Sequence, residues 1–266
     1  MARSKSRVKL DNRSESQIPG DFHARWKSRF EEFANLRDDD AGIAGWTTSG
    51  LQTRFRNFRR LWTRHQRDAL WLDIGCGAGT YTRFLKDEGL RVIGIDYSFP
   101  ALIKARARSA PGIEWVAGDV TRLPVAAGSI DGALCFGVLQ AIPESGSALR
   151  SIAQAMKISG TLWIDVLNAR CLPNRIEIRR RRKAGKSMHL RYETAEAFRD
   201  ALRDCGFKVV ALHWIPILPA RLVCLQPLVE SRTVRLLLRL APVPAAWVSH
   251  SILVEARRTA SPEQTS

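Results

Sequence analysis

The chain has 266 residues, 45% of them apolar and 26% charged, which is enough for a full hydrophobic core and argues against whole-chain disorder, a collagen-like repeat or a membrane-embedded body. Forty-two Lys and Arg against twenty-six Asp and Glu leave a formal charge of +16, so an acidic partner, an anionic membrane surface or an anionic ligand is expected. Five cysteines without a C-x-x-C pair argue against a disulfide framework and a zinc knuckle and fit a reducing cytosol.

Residues 1–20 are basic, Ser-rich and free of aromatics, and read as a flexible arm that buries too little surface to offset its ordering entropy. No apolar stretch follows the arm's basic residues, so no secretory signal is expected, and the Asn12-Arg13-Ser14 pattern carries no meaning. Over 21–67 the spacing of Phe22, Trp26, Phe30 and Phe33, then of Phe55, Phe58, Leu61 and Trp62, predicts amphipathic helices on either side of a turn region at 42–50, a helical cap.

From residue 69 short apolar runs alternate with helical stretches, the pattern of a parallel sheet covered on both faces. Strands are expected over 69–74, 91–96, 113–117, 130–136 and 160–166, and helices over 81–88, 100–109, 147–156 and 194–205. Two further strands, 207–213 and 251–255, form a closing antiparallel hairpin. The main domain is thus 68–258, with insertions at 170–191 and 212–247 and a flexible tail at 259–266.

The glycine-rich stretch LDIGCGAGT, 72–80, runs a strand through Gly75, Gly77 and Gly79 into a helix, a turn that lets backbone N–H groups and a helix N-terminus face a ligand. It misses the dinucleotide fingerprint, because the third glycine position falls on Thr80, and it lacks the Gly-Lys-Ser/Thr of a Walker loop. Asp73, Asp96 and Asp119 stand at the carboxyl ends of three successive predicted strands, where open α/β sheets bind ligands.

With VIGIDYS at 92–98, GDVTRLPV at 118–125, SIDGALCFGVLQAIP at 129–143, SGTLWIDV and the final SILVEARR, the chain resembles the class I S-adenosylmethionine-dependent methyltransferases, of the small-molecule and quinone-biosynthesis type. The resemblance implies a doubly wound, seven-stranded, mostly parallel Rossmann-like sheet with an antiparallel last strand, beside the N-terminal helical cap. It implies S-adenosylmethionine as cofactor. Gly75 and Gly77 would approach the methionine end, with Asp73 organising the turn. Asp96 would hold the ribose and Tyr97 flank the adenine, while Asp119, with Val120 beside it, would bind the adenine amine and Phe136 lie by the methionine.

Asn-Pro-Pro-Tyr, Asp-Pro-Pro-Tyr and Pro-Cys, found in base-methylating enzymes, are missing after the fourth strand. Methyl transfer to oxygen of a small or lipid-linked metabolite is therefore the first expectation, RNA methylation the alternative, and a non-catalytic cofactor-binding module a third reading. Gln140 can orient a substrate, and His23, His189 and Tyr192 are the candidates should a base be required, with Trp46 as an aromatic wall. The five histidines form no metal-ligand pattern, so no metal is expected, and the Asp38-Asp39-Asp40 run reads as a solvated turn.

The basic run 179–183 reads equally as a solvated loop or a phosphate contact, and without interleaved aromatics it ranks nucleic acid behind an anionic lipid or carrier. Arg232, Arg235 and Arg239, spaced among leucines, predict a basic amphipathic helix. It either packs on the domain with snorkelling arginines, the reading placed first, or lies in a membrane interface. The longest charge-free apolar run near the C-terminus, 209–220, has twelve residues against the roughly 20 a spanning helix needs, so a cytoplasmic location is expected, with the inner membrane face as a site of peripheral contact.

Overall fold

A computed structural model describes residues 22–63, 65–188 and 190–259. The arm expected over 1–20, most of the 259–266 tail and His189 lie outside these residues, and of His23 only the backbone is described. Three helices open the chain: α1 (Phe22–Leu36), α2 (Asp40–Ile43) and α3 (Thr48–Leu61). Asp39 and Thr47 cap the latter two, accepting from Gly42 N at 2.8 Å and Gly50 N at 3.1 Å.

The sheet then begins with β1 (Leu70–Ile74), α4 (Thr80–Asp87), β2 (Arg91–Asp96), α5 (Phe99–Ala107), β3 (Ile113–Ala117), β4 (Ile130–Cys135), α6 (Ser145–Ala155) and β5 (Met156–Leu167). It continues with α7 (Leu172–Lys183), α8 (Ala195–Asp204) and β6 (Phe207–Ile215). After α9 (Gln226–Val229), α10 (Arg232–Leu240) and α11 (Pro242–Val248) the last strand is β7 (Ser251–Arg258). Strand order is β3-β2-β1-β4-β5-β7-β6, with β7 antiparallel to both its neighbours and the remaining pairs parallel. The predicted hairpin is present, and β6 runs to Ile215, two residues past its expected end, because Trp214 and Ile215 keep pairing with β7.

Alternation along the strands sorts the core into two layers. Leu72, Ile74, Ala133, Cys135, Leu162, Ile164, Ile252 and Val254 face the layer covered by α6 and α8. Trp71, Leu134, Trp163 and Leu253 face the other way, toward α3 and α4. Phe58 of α3 is the hub of that second layer, with ring centroids 5.2 Å from Phe136, 5.6 Å from Trp163 and 5.7 Å from Tyr81. The cap is therefore welded to the sheet by aromatic burial.

The Asp38-Asp39-Asp40 run is a solvated turn at Asp38 and Asp39, which are exposed, but not at Asp40. Asp40 accepts from Thr80 Oγ1 at 2.5 Å and pairs with Arg83 and with Arg108, the last at 3.2 Å, so it ties the cap to α4 and α5. The basic run at 179–183 is not a loop either: it is the last turn of α7, where four cations meet the negative helix end. No described helix is long and apolar enough to cross a membrane.

Candidate active site

The order of strands reverses between β1 and β4, and a doubly wound sheet opens its ligand crevice there, outside the carboxyl ends of the strands. The glycine turn fills that position. Gly75 N and Cys76 N both donate to Ile95 O, at 2.7 and 3.1 Å, so the turn is stitched to β2 before the chain enters α4. Gly79, the residue before α4, has φ +82°, and a Cβ there would meet the Trp115 ring at 2.7 Å, so only glycine starts this helix without strain.

Asp73, at the end of β1, is buried and accepts from Thr82 Oγ1 at 2.6 Å, fixing the strand end to α4. Burial raises its carboxyl to about 7 despite that bond. Asp96, at the end of β2, uses both oxygens: Oδ2 accepts from Gly77 N and Oδ1 from Ser98 N, each at 2.8 Å. Burial also pushes Asp96 upward, against three backbone hydrogen bonds. Asp119 accepts from Thr121 N and Oγ1 at 2.7 and 2.8 Å. Tyr97 donates to Trp26 O at 3.2 Å, so α1 covers it.

All eight residues expected to hold the cofactor, Asp73, Gly75, Gly77, Asp96, Tyr97, Asp119, Val120 and Phe136, line one cleft. Two buried carboxylates pushed upward there favour a ligand that brings hydroxyls and positive charge. Tyr81 Oη, at the same wall, is buried without a partner and offers a further polar contact. The residues present thus fit an adenosyl sulfonium compound.

Gln140 and Tyr192, by contrast, do not line this cleft. They lie in an adjoining open chamber of about 460 Å³, walled in part by Trp26, Phe30, Leu167, Leu190, Ile217 and Pro219. Phe30, Ala44, Trp46, Gly137 and Ala141 are common to the two spaces, so they meet at the tip of β4. Trp46 closes the junction: Gly137 has φ +76°, and a Cβ on it would stand 2.2 Å from Trp46 Cζ2. Gln140 Oε1 and His250 Nδ1 are buried atoms without hydrogen-bond partners, and both residues line the chamber. Burial, with the nearby Arg54 cation, lowers His250 to about 4 and keeps it neutral. Burial pushes the Tyr192 hydroxyl up, so it stays a donor.

Three of the residues here were missed from the sequence. Asp165, late in β5, accepts from Gly137 N at 2.7 Å, Ser251 Oγ at 3.0 Å and Arg54 Nε at 3.3 Å. It carries the signal that revealed Asp73 and Asp96, an acid near the carboxyl end of a strand. Arg54, whose guanidinium lies 4.5 Å over the Trp46 ring, was hidden among the many arginines of α3. His250 was set aside with the other histidines because it stands in no motif. Among the described residues no group of three His, Cys, Asp or Glu is placed to hold a metal.

Residues 72–164 match the family model of the methyltransferase domain. Those residues form a methyltransferase domain. The domain is 32% identical over 108 residues to a malonyl-[acyl-carrier protein] O-methyltransferase of Pseudescherichia vulneris, covering 41% of this chain and 43% of that protein. It is 33% identical over 108 residues to a demethylmenaquinone methyltransferase of Beutenbergia cavernae, covering 38% and 43%. The match therefore spans less than half the length of these relatives. The methyltransferase fold extends further than the sequence match: the S-adenosylmethionine-dependent methyltransferase from Mesorhizobium loti superposes with a TM-score of 0.58 at 18% identity, over 77% of this chain and 98% of that one.

Proposed function

We propose that this chain transfers a methyl group from S-adenosylmethionine to an oxygen of a small or lipid-linked metabolite. The observation that carries the proposal is the junction of the two spaces at Trp46, Gly137 and Ala141, which sets the cleft that holds Asp73, Asp96 and Asp119 against a second chamber walled in part by Leu167, Leu190, Ile217 and Pro219. When bound, S-adenosylmethionine supplies an activated methyl group on a sulfonium. The protein's part is then to bind, align and exclude water, because positioning for an in-line displacement supplies much of the rate.

In this reading the Asp96 carboxylate, braced by Gly77 N–H, holds the ribose, Asp119 and Val120 the adenine end, and Asp73, Gly75, Gly77 and Phe136 the methionine end. Two unpartnered acceptors, Gln140 Oε1 and His250 Nδ1, suit an acceptor that presents a hydroxyl proton. The neutral imidazole of His250 can accept a hydrogen bond from that hydroxyl, while its lowered basicity suits it to orienting the acceptor rather than to holding the proton. The apolar wall of Leu167, Leu190, Ile217 and Pro219 suits a hydrocarbon or ring-bearing body. The named relatives, which act on an acyl-carrier-linked malonyl group and on a demethylated menaquinone by their names, agree with such an acceptor.

RNA methylation is the second reading, favoured by one observation: Arg179, Arg180, Arg182 and Lys183 stand exposed at the end of α7, beside the chamber residues Asn174 and Glu177. Incubation with methyl-labelled cofactor and separated lipid, small-molecule, RNA and protein fractions decides. Label in the lipid or small-molecule fraction supports the proposal. Label in RNA alone favours the second reading, and cofactor binding without transfer favours a non-catalytic module.

A further inference from the structure

The chamber mouth is flanked by two elements that place apolar side chains in water. On one side, α7 lines the chamber with Pro173, Asn174 and Glu177 and turns Ile176 outward, 66% exposed. On the other, Ile217, Leu218 and Pro219 line the chamber and run directly into a 3₁₀ turn, Ala220–Leu225, whose Leu222, Val223 and Leu225 are exposed. The same segment continues into Leu228, 64% exposed, and into α10, where Leu236, Leu237 and Leu240 face solvent, the last at 74%. Trp247 and Val248 of α11 are exposed as well. The expectation that α10 packs its leucines on the domain is therefore overturned: at these three positions the apolar side faces outward.

This face is held in place rather than loose. Gln226, buried, donates to Pro216 O and to Glu230 Oε1, each at 3.0 Å, and accepts from Leu218 N at 2.9 Å. Glu230, also buried, is gripped by Arg56 at 2.8 Å and Arg60 at 3.1 Å, both on α3. Those partners hold its carboxyl below the ordinary value although burial opposes them. A polar clamp thus fixes the segment to the cap while its leucines remain in water, an arrangement unfavourable unless something apolar covers them.

Charge identifies the cover. Between residues 212 and 248 the one acid is Glu230, which is buried and paired, and between 170 and 191 the one acid is Glu177, which is paired with Arg180 and Arg181 at 2.8 Å. Against these stand the exposed cations Arg179, Arg182, Lys183, Arg221 and Arg232. Aliphatic side chains interspersed with unopposed arginines are the composition of a surface that sinks its leucines among acyl chains and leaves its cations at anionic headgroups. Between residues 170 and 191 no Phe, Tyr or Trp is interleaved among the cations to stack bases.

We propose that the face made by α7, the 220–225 turn and α10 docks on an anionic lipid bilayer, so that the acceptor enters the chamber from the membrane. The docking itself stands on exposure and charge. Entry of the acceptor rests on the function proposed above.

The test is flotation of the full chain with vesicles of phosphatidylcholine alone and of phosphatidylcholine with phosphatidylglycerol in equal parts. Binding to the mixed vesicles is expected, with weak or no binding to the neutral ones. The triple variant Leu236→Glu, Leu237→Glu, Leu240→Glu should weaken binding about tenfold or more, since three apolar anchors become anions. Arg221→Glu with Arg232→Glu should weaken it mainly at low salt. Cofactor calorimetry on the same variants should match the parent chain, showing the domain is folded. Absence of vesicle binding by the parent chain, binding indifferent to the leucine changes, or tighter binding to duplex RNA than to the mixed vesicles would overturn docking. Vesicle binding without methyl transfer to any lipid fraction leaves docking intact and defeats acceptor entry; transfer to a soluble metabolite without vesicle binding overturns docking and entry from the membrane together and leaves the methyl transfer proposed above standing.

Discussion

Arg54 Nε, on the cap helix α3, donates to Asp165 Oδ2 at 3.3 Å, and the other oxygen of that carboxylate accepts from Gly137 N at 2.7 Å. One buried acid thus joins the cap, the tip of β4 and, through Ser251, the last strand. The junction between the cofactor cleft and the chamber hangs on this node.

Asp165→Ala leaves the mostly buried Arg54 and the Gly137 N–H without their acceptor, and loss of about 3–5 kcal/mol of stability is expected. Asp165→Asn retains an acceptor oxygen and should lose clearly less. Urea denaturation of the two variants, compared with the parent chain, checks the order.

Phe58 is 1% exposed and touches the rings of Phe55-facing Tyr81, Phe136 and Trp163 through T-shaped contacts. Phe58→Ala should cost about 3–5 kcal/mol by transfer and cavity, while Phe58→Leu should cost less. A change below about 1 kcal/mol on truncation would show that the cap is not packed on the sheet as described.

His250 gives the pH dependence a sign. Its folded value is lowered from 6.5 to about 4, so its contribution to stability is fully present above 6.5 and is lost as pH falls through 4. Denaturation midpoints between pH 7 and pH 4 should fall less steeply for His250→Asn than for the parent chain. Equal slopes would place the imidazole in water.

Gln140→Leu removes a buried oxygen that has no partner, so stability should hold or rise slightly. If the oxygen awaits an acceptor hydroxyl, kcat/KM should drop about tenfold with cofactor affinity unchanged. A variant with full activity would remove Gln140 from the acceptor site.

Much of this arrangement was legible in the residues because the physics is local. The runs at 91–96 and 113–117 became β2 and β3 with the same bounds, and Ser251 to Glu255 became the core of β7, since short apolar runs between helical stretches mark the strands of such a sheet. The carboxylates Asp73, Asp96 and Asp119 were readable because each ends a strand beside a glycine-bearing turn or its neighbours. What stayed hidden depends on contacts distant in sequence. Asp40 looked like part of an acidic turn until Arg83 and Arg108, 43 and 68 residues on, closed around it. Arg54 acquires its role from Asp165, 111 residues away. The outward leucines of α10 could not be told from inward ones by periodicity, because the pattern is the same whether a domain or a bilayer covers them.

The central claim is that the cleft at the ends of β1, β2 and β3 binds S-adenosylmethionine, and calorimetric titration of that compound into the parent chain and into Asp96→Ala tests it most directly. Saturable binding by the parent chain is expected, weakened by about 1–3 kcal/mol in the variant through loss of charge-assisted bonds to the carboxylate. Binding of NADH in place of S-adenosylmethionine, or S-adenosylmethionine binding that Asp96→Ala leaves untouched, would contradict it.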